Sequence, residues 1–549
     1  MKSPSGETLT SIDDILENWA KFYENLYHDN RDNSIVFTEP EDIVIPPILR
    51  SEIDNAISKL KNNKAPGPDA ITAEMLKCGG SRLRDALLRI ANLIIIMRQK
   101  CPEQLNQSEI IVLFKKGDRL NCSNYRPICL LSHVYKLVMM IIYTRISPEL
   151  TLALPSNQAA YQSGRSTTEQ IQTLQQVIEK LNEYNGKGVI CFIDYTKAFD
   201  SIHQHMLWSA LRKYTNIHPG YINILANLYE HSQTRIRSDV GISRLISILR
   251  GVKQGDLPSA VLFCIALMVI MSETFADVKC GIRLGGETIT DKGYADDAGI
   301  LTETIEEMNM ILNKLQRNSE IYGLTINLAK TKVMLIGEHT TAGGTIPPVQ
   351  ISGKNIEVVT QFEYLGRVLS NKADDEAAVI MRIGRGWGAF NKVKSIVTSR
   401  HISMASKRKT IETYVMPAML YATETITWKQ KLQQKATVFQ NHLMRWMCSK
   451  KLIDKIPIRE LLRITKLVPI MSTIRARKLR WYGHIRRSDL PVRTSVEGNI
   501  QGKRKRGRPK RRWRDDIAEW TAKNINELNV LVREREKWRD FVKQCSTRL

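Results

Sequence analysis

Two adjacent aspartates, Asp296 and Asp297, stand between the aromatic-small pair Tyr294-Ala295 and the apolar run Ala298-Gly299-Ile300-Leu301. Asp is poor in strand interiors but suits a tight turn, so the pattern reads as a hairpin with two carboxylates at its tip. Neighbouring carboxylates repel, and they stay ionised together only beside a compensating cation. Hard oxygen ligands suit Mg2+, with Mn2+ as an alternative. A third carboxylate, Asp194, follows Cys191-Phe192-Ile193, an apolar run that reads as a buried strand ending in an acid. If strand and hairpin lie side by side, Asp194, Asp296 and Asp297 converge on a site for two divalent ions. One would activate an attacking hydroxyl and the other would steady a leaving pyrophosphate. An Asp-Asp pair alone is weak, since many solvated turns contain one; its weight comes from the ordered motifs around it.

The elements that must hold these acids are legible as patterns. Strand-like runs fall at 109–114, 189–193, 332–336 and 362–369, and a short hairpin at 293–301. Residues 11–28 read as an amphipathic helix with Ile12, Ile15, Leu16, Trp19, Phe22 and Tyr23 on one stripe. Further helical patterns occupy 167–184 and 260–275, and from about 371 to 470 the chain reads as helical throughout. Dispersed strands and helices followed by an all-helical stretch indicate an α+β core with a helical region behind it.

The chain has 549 residues, 43% of them hydrophobic, which predicts several subdomains with a well-filled interior. Its formal net charge of +25 favours a polyanionic partner, most simply a phosphate backbone. The excess is uneven: Ser472 to Asp516 holds 16 Lys or Arg against 4 Asp or Glu. Nine cysteines without a C-x-x-C pair disfavour a cysteine zinc site or a disulfide framework and fit a reducing compartment. The first thirty residues do not resemble a signal peptide, and the longest apolar run, Ala260 to Met271, is too short to cross a bilayer. The expectation is a soluble nuclear and cytoplasmic protein with no membrane partner.

Around the acids the chain resembles the reverse transcriptases of non-LTR (LINE-type) retrotransposons. Asn63-Lys64-Ala65-Pro66-Gly67-Pro68-Asp69 is similar to that family's opening loop, and Asn124-Tyr125-Arg126-Pro127-Ile128 to its fingers motif. Phe192 to Asp200 resembles the first catalytic motif, Gly251 to Asp256 the template- and nucleotide-positioning motif, and Tyr294 to Asp297 the aromatic-x-Asp-Asp signature. Gly323-Leu324 with Asn327 to Thr331 resembles the next motif, and Tyr364-Leu365-Gly366 the primer grip. The resemblance covers about residues 50 to 370 and continues more loosely to about 520. It implies a right-hand polymerase: an N-terminal helical extension (1–50), fingers and a palm with an antiparallel sheet (51–370), a helical thumb (371–470) and a basic nucleic-acid-binding region (471–549). It also implies that the Phe199 ring lies beneath the incoming sugar, where it would collide with a 2′-hydroxyl. Gln254, Gly255 and Arg126 would contact nucleotide or template, and Lys330 would donate a proton to pyrophosphate. The implied partners are an RNA template, a DNA primer or nicked chromosomal target, and deoxynucleoside triphosphates. The alternatives are a decayed element protein that only binds nucleic acid and, less favoured because of Phe199, an RNA-dependent RNA polymerase.

The sequence departs from the family in three places. Leu257-Pro258 inverts the usual Pro-Leu, moving the proline into a first helical turn where a missing N–H costs little. Ala160 and Gln162 replace a usual Gly and Arg, which weakens a template-phosphate contact. No nuclease constellation precedes the polymerase region, so the expectation is a truncated copy or cleavage supplied elsewhere. In the basic region, Trp481-Tyr482-Gly483-His484 lies among cations and reads equally as a stacking surface or as a packed helix. Lys503 to Arg512 reads as a disordered run, near 495–512, with an Arg506-Gly507-Arg508-Pro509 core similar to an AT-hook. Arg165, Arg506, Arg508, Lys510 and Arg511 are the expected nucleic-acid contacts.

Overall fold

A computed structural model describes residues 1–29, 45–96, 102–340 and 345–547. Cys101 lies outside the described residues. The architecture is α+β, and the chain divides into two units that interleave along the sequence. The first comprises Met1–Ser163, Asp194–Val278 and Ile311–Asn327; the second comprises Gly164–Ile193, Lys279–Met310 and Leu328–Leu549. The division groups the strand Gly188–Ile193 with everything after residue 327.

In the first unit a five-stranded sheet is ordered Tyr125–Leu131, Gln107–Phe114, Gln233–Ser238 and Gly241–Ile242, with Ile246–Ser247 also on Gln233–Ser238. The helix Ile12–Tyr27 closes one face of it. Its stripe Trp19, Ala20, Tyr23 and Tyr27 is buried in a cluster with Ile110, Ile236 and Ile246. Each such large side chain removed from water contributes about 1.5–3 kcal/mol. The helix Ser259–Phe275 is apolar around its whole circumference and is buried along most of its length, as such a composition requires. Pro258 caps it, one place before the first helical residue, so its missing N–H removes no helical bond.

The second unit is built on a sheet ordered Glu357–Val358, Lys332–Ile336, Gly188–Ile193, Asp297–Thr302 and Asp291–Tyr294. All pairs are antiparallel except that of Lys332–Ile336 with Glu357–Val358. Every residue of Gly188–Ile193 is buried, which explains why this strand is continuously apolar where an edge strand would alternate. The helix Thr167–Glu183 carries Ile171, Leu174, Val177, Ile178 and Leu181 at helical spacing and packs them on Ile190, Phe192, Leu301 and Met334. Beyond the sheet, the helices Glu376–Thr398 and Gln430–Met447 share a core around Phe390, Trp428, Phe439 and Leu443. The C-terminal helices Ile470–Arg487, Trp513–Thr521, Ile525–Arg533 and Arg535–Thr547 share another around Leu479, Tyr482, Trp513 and Trp538. Among the described residues no helix is long and apolar enough to cross a membrane.

Candidate active site

Within the second unit, Tyr294 pairs with Asp297, so Ala295 and Asp296 form a two-residue turn between the strands Asp291–Tyr294 and Asp297–Thr302. Ala295 takes a left-handed φ of 58°, a conformation that costs a residue with a Cβ about 1–2 kcal/mol. Tight hairpin turns follow the twist of their strands only with such a residue in the loop, so the acidic tip holds local strain. Asp296 is half-buried and Asp297 exposed, which leaves both within reach of a hydrated ion. On the next strand inward, Ile193 pairs with Ala298 and ends the ladder of Gly188–Ile193. The donors at the tip are carboxylate oxygens alone, a set that fits a hard divalent cation.

The hairpin Gln361–Tyr364/Arg367–Ser370 packs against the same sheet. Leu365 and Gly366 both have positive φ, 46° and 79°, the signature of a type I′ two-residue loop. The Tyr364 hydroxyl donates to the Lys292 carbonyl at 3.2 Å, and Phe362 stacks on Phe192 with ring centroids 4.2 Å apart. The turn is held from behind by Arg382, which donates to the Gly366 carbonyl, and by the Tyr421 hydroxyl on the Leu365 carbonyl. Burial, with the charges of Asp297 and Asp291 added, pushes the Tyr364 hydroxyl well above its ordinary pKa and keeps it neutral. Lys330 is exposed in the turn that precedes Lys332–Ile336.

In the first unit Asp194 is half-buried, and its carbonyl accepts from the Asn327 N–H at 2.7 Å. The chain then turns through Lys197, at φ 46°, into the short helix Ala198–Ser201. The Phe199 ring sits 4.5 Å from that of Phe263, and the Phe199 carbonyl accepts from the Val252 N–H. Gln254 donates to both carboxylate oxygens of Asp200 at 3.1 Å, while its own carbonyl accepts from the Cys129 N–H. Two glycines permit this meeting. A Cβ on Gly251 would lie 2.8 Å from the Asp200 carbonyl oxygen, and one on Gly255 would lie 2.7 Å from that of Cys129. Gly67 likewise lies against the backbone of Ser132, whose hydroxyl donates to Asp69. Four motifs far apart in sequence therefore meet in one unit, and Arg126 is exposed on the strand beside them.

Sequence reasoning missed Asp200. Burial pushes its carboxyl up to about 7, opposed by Lys197, Gln254 and Arg126. The available signal was a second acid closing the motif Phe192 to Asp200, directly after the apolar pair Ala198-Phe199. Arg165 was an expected nucleic-acid contact. Its guanidinium is buried in a two-pronged ion pair with Glu169 at 2.5 and 2.7 Å, with 6% of the side chain exposed. The i, i+4 spacing at a helix start was the available cue to that pairing. Gln162 also turns inward, donating to the carbonyls of Gln158 and Pro155.

The basic C-terminal region separates into two kinds of cation. Arg511 pairs with Asp516 and Glu519, and Arg504 with Glu183. Arg506, Arg508 and Lys510 are exposed and form no ion pair among the described residues. The stretch expected to be disordered begins with a helix, Pro491–Glu497, and continues as a strap whose Lys505 N–H donates to the Glu183 carbonyl. In the Trp481–His484 segment, Tyr482 and Gly483 are buried, and a Cβ on Gly483 would lie 2.1 Å from Trp538 Nε1. Packing therefore explains this segment.

The second unit thus carries an acidic turn on a buried antiparallel sheet, and the first a glycine-dependent Gln loop. Comparison with known proteins makes this specific: residues 114–369 match the family "Reverse transcriptase (RNA-dependent DNA polymerase)". The chain is 25% identical over 393 residues to the RNA-directed DNA polymerase from mobile element jockey of Drosophila funebris, covering 69% of this chain and 41% of that protein. It is 26% identical over 389 residues to the Pol polyprotein of the type-1 retrotransposable element R2 of Popillia japonica, covering 69% and 52%. To the transposon TX1 149 kDa protein of Xenopus laevis it is 23% identical, covering 64% and 27%. The chain thus spans about half or less of each of these relatives. Among solved structures, telomerase from Candida Tropicalis aligns over 73% of this chain and 64% of its own at 12% identity and a TM-score of 0.37, too loose a likeness to carry argument. Residues 114–369 thus match a reverse transcriptase domain, and the chain is similar to proteins of non-LTR retrotransposons.

Proposed function

We propose that the chain extends a DNA 3′ end along an RNA template from deoxynucleoside triphosphates. The observation that carries this reading is the strand register in the second unit. Ile193 pairs with Ala298; Asp194 is the next residue on one strand, and Asp297 the preceding residue on the other. This supports reading Asp194 as the third carboxylate of a set with Asp296 and Asp297. We take the three carboxylates to hold two Mg2+ ions, which when bound supply Lewis-acid activation of the primer hydroxyl and neutralise triphosphate charge.

The other residues take roles consistent with their surroundings. Phe199, packed on Phe263, is rigid enough to act as the gate against a 2′-hydroxyl. Gln254, held by Asp200, presents Gly255 to the nucleotide or template. Exposed Arg126 neutralises triphosphate charge, and Lys330 protonates pyrophosphate. Tyr364, Leu365 and Gly366 seat the primer end, while residues 371–470 serve as a thumb. Arg506, Arg508 and Lys510 hold nucleic-acid backbone. In RNA-templated primer extension, the parent chain is expected to incorporate deoxynucleotides with Mg2+ and Asp296→Ala to incorporate none. Extension by the parent with ribonucleotides alone, or undiminished extension by Asp296→Ala, defeats the reading.

A further inference from the structure

The segment that ends the N-terminal helix meets the start of a helix 174 residues later at three side chains the polymerase reading does not use. Asp29, His203 and His205 each offer one ligand atom, and these atoms all lie within 4.8 Å of one another. Asp29 and His203 are buried, 8% and 6% exposed, and His205 is half-buried. All three belong to the first unit. We propose that Asp29, His203 and His205 bind a first-row transition-metal ion of the Zn2+ class, which clasps the end of the helix Ile12–Tyr27 to the first turn of the helix Gln204–Tyr214.

The ring of His203 is oriented before any ion arrives. Its backbone N–H donates to the Tyr322 carbonyl at 2.9 Å. Gly323, at φ +81°, lies so close that a Cβ there would be 2.6 Å from ring Cδ2 and 2.8 Å from Nε2. That edge of the ring is occupied, which turns Nδ1 toward Asp29, 2.8 Å from its Oδ2. The Asp–His hydrogen bond joins two of the three groups, and His205 stands beside them. Its ring centroid is 5.5 Å from that of His203, an arrangement that places two imidazoles and a carboxylate around one point.

The donor set decides the class of ion. Two imidazoles with one carboxylate suit Zn2+ and its first-row neighbours, whereas Mg2+ prefers an all-oxygen shell. Three protein ligands leave a fourth position. His205 lines a cavity of about 420 Å3 with Trp208, Tyr229 and Glu230, so water can fill it. The ligating forms are carboxylate and neutral imidazole, so the ion takes the place of the proton between Asp29 and His203 Nδ1 and the ring keeps its one proton on Nε2. The absence of a C-x-x-C pair, which disfavours a cysteine zinc site, does not bear on a site built from histidine and aspartate.

The full chain, stripped with a chelator and returned to buffer with excess Mg2+ to occupy the acidic carboxylates, is titrated with Co2+. One equivalent is expected to give the visible d–d bands of low-coordinate Co2+, and Zn2+ to abolish them. His205→Asn and Asp29→Asn are expected to weaken binding by roughly tenfold or more, with circular dichroism unchanged. His203→Ala is expected to lose the bands, and the half-buried His205 keeps the test decisive if that variant misfolds. No stoichiometric bands in the parent, equal affinity in His205→Asn and Asp29→Asn, or a thiolate charge-transfer band pointing to cysteine would overturn the proposal.

Discussion

Asp296 works from a turn whose geometry costs energy, because Ala295 before it holds a left-handed φ without being glycine. A β-branched residue tolerates that conformation worse than alanine does. Ala295→Val is therefore expected to lose about 1–2 kcal/mol of stability and to lower extension, read by denaturant unfolding beside primer extension. An unchanged unfolding midpoint would mean that the turn relaxes freely. Asp200 makes a different demand. Buried, it keeps its proton to about 7, far above the ordinary carboxyl range. Folded protein then binds more protons than unfolded protein between about pH 4 and 7, so this group's contribution to stability falls as pH rises through that window. Asp200→Asn still offers Gln254 an acceptor but cannot ionise. Its stability relative to the parent should grow from pH 5 to pH 8 in parallel denaturation curves, and a constant difference across that range would refute the assignment.

The strands and helices were largely readable because each keeps one period. The buried strand Gly188–Ile193 and the helices Thr167–Glu183 and Ser259–Phe275 follow their apolar patterns to within a residue or two. The hairpin at Leu365-Gly366 was seen only as a single run over 362–369, because its I′ loop has just one glycine to mark it. What periodicity cannot show is pairing between distant elements. Glu169 captures Arg165 and Asp29 meets His203, but a carboxylate in a sequence does not name its partner. The Trp481–His484 segment illustrates the same limit. Its residues read equally as a stacking surface or a packed helix, and Tyr482 and Gly483 face the helix Arg535–Thr547. Gly483→Ala drives a methyl into the Trp538 ring and is expected to cost about 1–3 kcal/mol. It should lower the thermal midpoint with nucleic-acid affinity per folded molecule unchanged. Loss of affinity at full stability would return the segment to the binding surface.

Across the whole molecule the charge of +25 has two uses, and the ion pairs distinguish them. Some basic residues are structural. Lys478 is fully buried, donating to Asp516 at 2.5 Å and to the Ile426 carbonyl, and Arg511 pairs with the same Asp516. Removing one partner of such a pair strands the other charge, a loss of about 3–5 kcal/mol, so these cations are not available to a ligand without cost to the fold. Arg506, Arg508 and Lys510 lie between anchored Arg504 and Arg511 on the strap, with their charges in solvent. Exposed cations that bind phosphate release counterions and give a salt-dependent affinity. Replacing these three with Ala is thus expected to flatten the log–log salt dependence of duplex binding by roughly 2–3, at about 0.9 for each phosphate no longer neutralised, while melting stays unchanged. Arg511→Ala should do the reverse, lowering the melting temperature and leaving the salt slope nearly intact. Comparing A·T-rich with G·C-rich duplexes in the same titration separates the two readings of the strap. A preference for A·T supports insertion of Arg506 and Arg508 into a narrow minor groove, and equal affinities leave phosphate binding alone.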